Sequence, residues 1–239
     1  MYYRDDPLVK HLLGLKQLPD VATVSRALKQ AGAQSVENLR SLLREMVLER
    51  LQLLFSTRVT LDFDGSVQST QRKAEGTAVG FNKKKKGARS YYPLFCTLAQ
   101  TGQVIDFLHS PGNVHDSNGA KAFILACIDA VRAAGAQATL EVRMDSAFFS
   151  DEIIEALVDR DVQFTLSIPF ERFTELKGMI EQRWRRLNGG SHYFETAWKP
   201  QCWDSRFRFI FIRTQTKKQQ KVRFSWTCLC PMRRAMTSR

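Results

Sequence analysis

The sequence predicts an α/β fold in which a mixed β-sheet is flanked by helices. Three observations carry that prediction. Apolar residues over positions 1–54 recur at helical spacing, and from Arg58 the spacing changes to the two-residue alternation of strands. After residue 138 a strand, a helix and a second strand follow at the spacing of a βαβ crossover. The crossover makes its strands parallel, whereas the hairpin expected ahead of it is antiparallel, so the sheet must be mixed.

A chain of 239 residues with 44% hydrophobic content is long enough for one large domain, or one domain with a small appendage. Its net charge of +12 points to a polyanionic partner, because clustered Lys and Arg release counterions from phosphates. Nucleic acid is the leading candidate. No apolar stretch approaches the roughly 20 residues that span a bilayer, and MYYRDDPLVK lacks a signal-peptide core, so no membrane association and a cytoplasmic location are expected. The five cysteines, Cys96, Cys127, Cys202, Cys228 and Cys230, contain no Cys-x-x-Cys pair, which argues against a disulfide framework or zinc ribbon.

Residues 1–54 read as a helical N-terminal region. Pro7 to Leu15 offers a short apolar face, Asp20 is suited to cap a helix from Val21 to Ala31 that Gly32 stops, and Ser35 is suited to cap a longer one through Leu51. The segment TVSRALK, Thr23 to Lys29, has the small polar start and basic end of a DNA-recognition helix, a pattern that packing helices share.

The core, expected over residues 55–188, opens on RVTLDFDGS, Arg58 to Ser66. Alternation puts Asp62 and Asp64 on one face and Leu61 and Phe63 on the other. A polar, glycine-punctuated stretch from Val67 to Phe81 leads into Lys83, Lys84, Lys85, Lys86 and Arg89. Between Gln71 and Tyr92 seven Lys or Arg face one acid, Glu75, so this reads as a basic loop that could hold a DNA backbone near the carboxylates. YYPLFCTL and QVIDFL, joined by a short turn, predict a hairpin. A polar connection containing His115 and Asp116 follows, and a helix from Ser117 or Asn118 to Gly135. His115 and Asp116 are either site residues or a loop histidine and a helix-start carboxylate.

ATLEVRM, Ala138 to Met144, is then a strand that ends on Asp145, with a helix over about 150–160 and a strand from Val162 to Ile168. Three meander strands, a helix, a strand, a helix and a strand make the ribonuclease H-like topology. Ligands of open α/β sheets sit beyond the carboxyl ends of strands, and Asp64 and Asp145 both occupy such ends. Their paired hard oxygens suit Mg²⁺ or Mn²⁺, and two such ions about 3.5 to 4 Å apart could serve phosphoryl transfer.

LDFDGS, AEGTAVGFNKKKKGARSYYPL, PGNVHDSNGA and RMDSAFFSDE, in this order and spacing, resemble the DDE transposases of bacterial insertion sequences, in the group with a β-rich insertion inside the catalytic domain. The resemblance implies a metal-dependent enzyme that cleaves and joins double-stranded DNA at element ends and target, and it suggests a homodimer on paired ends. It implies metal-ligand roles for Asp64, in DGS, and Asp145, in MDS; Asp62 stays a neighbour on the same face that could serve as an outer partner.

The family's third acid is a glutamate within a tyrosine, arginine, glutamate, lysine pattern, which this chain lacks. Strands at Ser191 to Trp198 and Arg206 to Ile212 look like the start of the insertion, over residues 189–239, but the chain ends at Arg239 and TCLCPMRRAMTSR reads as neither strand nor helix. A truncated transposase, with lowered stability and a tendency to aggregate, is the expectation; a non-catalytic DNA-binding remnant and an unrelated ribonuclease H-like nuclease are the alternatives. A helix expected over Glu171 to Trp184 offers Glu171, Glu175 and Glu181 as substitutes for the missing acid, or simply as its solvated face. Beyond residue 200 ten Lys or Arg face one acid, Asp204, with Trp203, Phe207, Phe209, Phe211, Phe224 and Trp226 interleaved. The charges suit DNA contact, whereas the aromatics suit the core of a β insertion better than base stacking.

Overall fold

The computed structural model describes residues 6–53, 57–71, 73–80, 82, 85–114, 119–134, 138–169, 172–178, 184–187, 190–200, 203, 206–215 and 222–231. The chain forms two compact units, Met1–Glu45 and Met46–Arg239.

The first unit holds helices α1 (Pro7–Leu12), α2 (Val21–Gln30) and the start of α3 (Ala33–Leu53). Carboxylates satisfy the unpaired amides at two helix starts: Asp6 accepts from Leu8 N at 2.9 Å, and Asp20 accepts from Thr23 N at 2.6 Å, as its position predicts. Ser35 does not cap α3. That helix begins at Ala33, so Ser35 sits inside its first turn. Leu12, Val21, Leu28 and Leu39 are exposed on these helices.

The second unit is built on a nine-stranded mixed sheet. Its first five strands are β1 (Arg58–Gly65), β5 (Leu94–Leu98), β6 (Gln103–Leu108), β7 (Thr139–Met144) and β8 (Gln163–Ser167). They lie in the order β6-β5-β1-β7-β8, with β6, β5 and β1 antiparallel and β1, β7 and β8 parallel. The expected meander and crossover are both present, in the strand order of a ribonuclease H-like core.

Helices α4 (Ala120–Ala133) and α5 (Asp151–Asp159) are apolar on one side and contact each other, with α4 against β5 and β6 and α5 against β8. Ile124, Ile128, Ile154 and Leu157 are buried with Leu61, Phe63, Val142, Phe164 and Leu166 of the strands. The Phe63 and Phe123 rings meet edge to face at 5.9 Å. Val47 and Leu51, near the end of α3, are buried in the same unit, where Gln52 Nε2 donates to the Ala134 carbonyl at 2.7 Å.

Three expectations are corrected. The stretch after β1 is not only a loop: β2 (Gln68–Ser69), β3 (Ala78–Val79) and β4 (Arg89–Tyr91) form a small antiparallel sheet of their own. These strands are too short to show alternation in sequence. Their packing rests on a close approach instead, since a Cβ on Gly80 would run into the Gly112 carbonyl oxygen. The helix expected over Glu171 to Trp184 covers only Thr174–Gly178 (α6) among the described residues, with Leu176 buried.

The third correction concerns the end of the chain. Beyond β9 (Arg185–Arg186), β10 (Ser191–Trp198) and β11 (Phe207–Gln215), residues Val222–Pro231 form a strand, β12, that pairs with β11 and β8. TCLCP is therefore strand, and the last four strands extend the core sheet in the order β8-β12-β11-β10-β9. Residues 232–239 lie outside the described residues, as do the side chains of Phe224, Trp226, Cys228 and Cys230. Trp203, Phe207, Phe209 and Phe211 are buried, in rings that run from Phe149 stacked on Trp203 at 4.9 Å to Phe194 stacked on Phe211 at 4.3 Å. They are core, as the sequence favoured.

Candidate active site

The site is assembled by the pairing of β1 with β7. Arg58 stands beside Thr139 and, five pairs on, Phe63 beside Met144. Asp64 follows Phe63 and Asp145 follows Met144, so the parallel register brings them side by side at the carboxyl ends of two neighbouring strands. A separation of 81 positions in sequence thus becomes one inter-strand spacing, about 4.8 Å between backbones.

Local chemistry fixes each aspartate. Asp64 is exposed, paired across β5 with Phe95. Gly65 follows because the Tyr92 ring occupies the space: a Cβ there would fall 2.5 Å from the Tyr92 hydroxyl. Asp145 opens a 3-10 turn, Ser146–Phe148, and one of its carboxylate oxygens accepts from Ala147 N at 2.8 Å. That bond orients the carboxylate at the strand end.

Below the two aspartates the same face of the sheet carries a ladder of polar pairs. Arg143 donates to both oxygens of Asp62, at 2.5 and 2.6 Å, in a fork that matches the carboxylate. The hydrogen bond to Asp62 pushes the Arg143 pKa above its ordinary value; burial opposes it, and the charges of Asp62 and Glu141 add to the rise. One rung lower, Glu141 accepts from Thr60 Oγ1 at 3.1 Å, from Thr165 Oγ1 at 3.2 Å and from Arg58 at 3.2 Å. The sequence motifs show Asp62 sharing a face with Asp64. They do not show Arg143, whose spacing of two from Asp145 was the available signal.

The remaining expected residues are placed as follows. Lys85 and Lys86 are exposed on the turn before β4. Arg89 is half-buried and donates to Thr77 Oγ1 at 2.9 Å and to the Thr77 carbonyl, so its guanidinium holds β3 to β4. Glu175 is exposed on α6. Lys83, Lys84, His115, Asp116, Ser117, Asn118, Glu171, Glu181, Cys202 and Asp204 lie outside the described residues. Among the described residues no three His, Cys, Asp or Glu side chains form a group able to hold a metal ion. Two adjacent carboxylates nevertheless fit Mg²⁺, which keeps several waters and is commonly bound through one or two carboxylates together with substrate phosphates.

The family model described as transposase DDE domain, group 1, matches residues 2–237. The chain belongs to this family. DDE transposases generally use divalent metal ions, and among the described residues no helix is long and apolar enough to cross a membrane. No curated protein matches the chain by sequence. Among solved structures it is similar to a piggyBac transposase synaptic complex with hairpin DNA, at 11% identity and a TM-score of 0.44 over 81% of this chain. It is also similar to a Mos1 transposase paired-end complex with left transposon end, at 14% identity and a TM-score of 0.32 over 66% of this chain. The chain spans 40% of the first structure's length and 52% of the second's.

Proposed function

We propose that this DDE-family chain carries out metal-dependent cleavage and transfer of DNA strands at the ends of an insertion sequence. The observation that carries this reading is the β1–β7 register, which sets Asp64 beside Asp145 at the sheet's carboxyl end in a member of this family. The two carboxylates would hold Mg²⁺ or Mn²⁺, which supplies Lewis acidity toward the phosphate and lowers the pKa of bound water. Asp145, oriented by Ala147 N, would be presented with little rotamer freedom left to lose on binding. The attacking oxygen belongs to water in cleavage and to a terminal 3′ hydroxyl in joining; it forms the new P–O bond as the 3′ oxygen of the broken strand leaves in line. No covalent bond to the protein is needed.

The net charge of +12 supports double-stranded DNA as partner, with Lys83 to Lys86 as phosphate contacts. Arg89 contributes there through the fold of the loop, given its bonds to Thr77. A helical region over 1–54, a catalytic core over 55–188 and a β-rich segment over 189–239, acting as a homodimer on paired ends, complete the proposal. Incubating the full chain with DNA that carries matching element ends tests it. Mg²⁺-dependent nicking that is lost in Asp145→Ala is the expected result, and nicking that survives that change removes Asp145 from the site.

A further inference from the structure

A DNA strand held at Asp64 and Asp145 can run along only one face of the sheet. On the other face of β1 and β7, Leu61, Phe63, Val142 and Met144 are buried. On the open face Asp64, Asp145 and Arg143 are exposed and Asp62 is half-exposed. Arg143 lies two residues from Asp145 along β7, about 7 Å, which is comparable with the step between successive phosphates of a DNA strand. A guanidinium has more N–H groups than one carboxylate can take. Nε and Nη2 each donate to an Asp62 oxygen, at 2.5 and 2.6 Å, and among the described residues the N–H groups left on the outer edge bond no other side chain. Glu141, the acid that could draw the guanidinium down the face, is engaged by Thr60, Thr165 and Arg58. A register lock is a weak account of the pair. The backbone pairing from Arg58 to Phe63 already sets the register, and an ion pair so open to water stabilises a fold little.

We propose that Arg143 is a DNA-contacting residue: held by Asp62, it binds a backbone phosphate adjoining the one that is cleaved. The inference rests on the reading of Asp64 and Asp145 as the place of cleavage, and it holds whatever other groups complete the coordination of the cation there. A planar guanidinium can give one edge to a carboxylate and keep another for phosphate oxygens, in the fork geometry that both anions accept. The ammonium of a lysine offers no such second edge. Asp62 supplies the aim: with Nε and Nη2 tied down, the outer edge is fixed in direction before DNA arrives, so less side-chain freedom is lost on binding. The contact carries no sequence information, and it sets where the strand lies relative to Asp64 and Asp145. Because the guanidinium stays protonated at any working pH, the contact does not titrate.

The test is binding of the full chain to duplexes that carry matching element ends, read by fluorescence anisotropy with Ca²⁺ in place of Mg²⁺ to hold back cleavage. The duplexes are unmodified or carry one methylphosphonate, a neutral replacement, at the phosphate on either side of the cleaved one or at a distant position. Wild type is expected to lose affinity about three- to tenfold at one of the two adjoining positions, the scale of one charge-assisted hydrogen bond partly open to water. Arg143→Gln is expected to bind the unmodified duplex more weakly by a similar factor and to lose nothing further from that methylphosphonate, while the distant one acts on both proteins alike. A merely structural ion pair would leave every methylphosphonate loss the same in the two proteins. That result overturns the inference, as does a wild type indifferent to both adjoining positions. If circular dichroism shows that Arg143→Gln fails to fold, the near-isosteric Asp62→Asn carries the test: a smaller loss than in wild type supports the contact, and an unchanged loss overturns it. The two ideas fail separately. If wild type prefers element-end DNA to a scrambled duplex but shares its methylphosphonate losses with Arg143→Gln, only this inference fails. If wild type shows no such preference, the reading of the chain as acting at element ends fails with it.

Discussion

On one face of β1, Val59, Leu61 and Phe63 are buried beneath helices; on the other, Thr60, Asp62 and Asp64 form hydrogen bonds, an ion pair and a candidate metal site. The neighbouring strand β7 divides in the same way, with Leu140, Val142 and Met144 buried and Glu141, Arg143 and then Asp145 on the polar side. The two faces share one backbone and one register. Their difference shows how the fold separates stability from chemistry: apolar burial on one side fixes the pairing, and that pairing delivers the carboxylates on the other.

Substitutions on the two faces should therefore have opposite signatures. On the polar face Asp64→Asn is expected to lower metal-dependent strand cleavage by about a thousandfold or more, because it removes a ligand charge, while unfolding free energy changes by less than about 0.5 kcal/mol, as at other exposed positions. On the apolar face Phe63→Ala leaves a cavity against Phe123 and is expected to cost about 3–5 kcal/mol in urea unfolding. Equal stability losses from the two variants would refute the division of labour. A smaller effect is expected from Glu141→Gln, which gives up the Arg58 ion pair and keeps both threonine contacts only if one hydroxyl turns to accept from the amide nitrogen; about 1 kcal/mol is the scale for this partly buried group. Arg208→Ala, at an exposed pair with Glu195 at 2.8 Å, should register less than about 0.5 kcal/mol in the same unfolding measurement.

The same contrast explains what the sequence made legible. β1, β5 and β7 carry period-two patterns because one face of each packs on the core, so their existence and the strand-end positions of Asp64 and Asp145 could be read directly, whereas β6, with Ile105 and Asp106 both buried, was legible from its apolar run and the turn before it. The small sheet β2-β4-β3 could not, since strands of two or three residues show no period and are held by glycine contacts such as Gly80 against Gly112. β12 escaped because its pairing with both β8 and β11 is a long-range outcome that local composition does not announce. Arg143 was hidden for a related reason: its partnership with Asp62 exists only once β1 and β7 are in register.

A further effect lies on the apolar face and is a matter of pH. Cys96, on β5, stands opposite Phe63 of β1 and Asp106 of β6 and is fully buried. Burial raises its pKa well above the ordinary value, and the hydrogen bond and charge of Cys127 and the charge of Asp106 raise it further. Above the ordinary cysteine pKa of about 8.5 an unfolded chain sheds the proton that the folded chain keeps. The unfolded state then binds fewer protons, so stability falls as pH rises; the contribution is intact below the unfolded pKa and is lost on the way up to the folded one. Urea unfolding of the wild type should accordingly weaken between about pH 8 and pH 10. Cys96→Ala should start from a lower stability at neutral pH, through the small cavity it leaves, and decline less steeply. Matching slopes in the two proteins would mean that the Cys96 thiol titrates alike in the folded and unfolded chains, and so that this face lacks the dry environment which separates it from the face bearing Asp64.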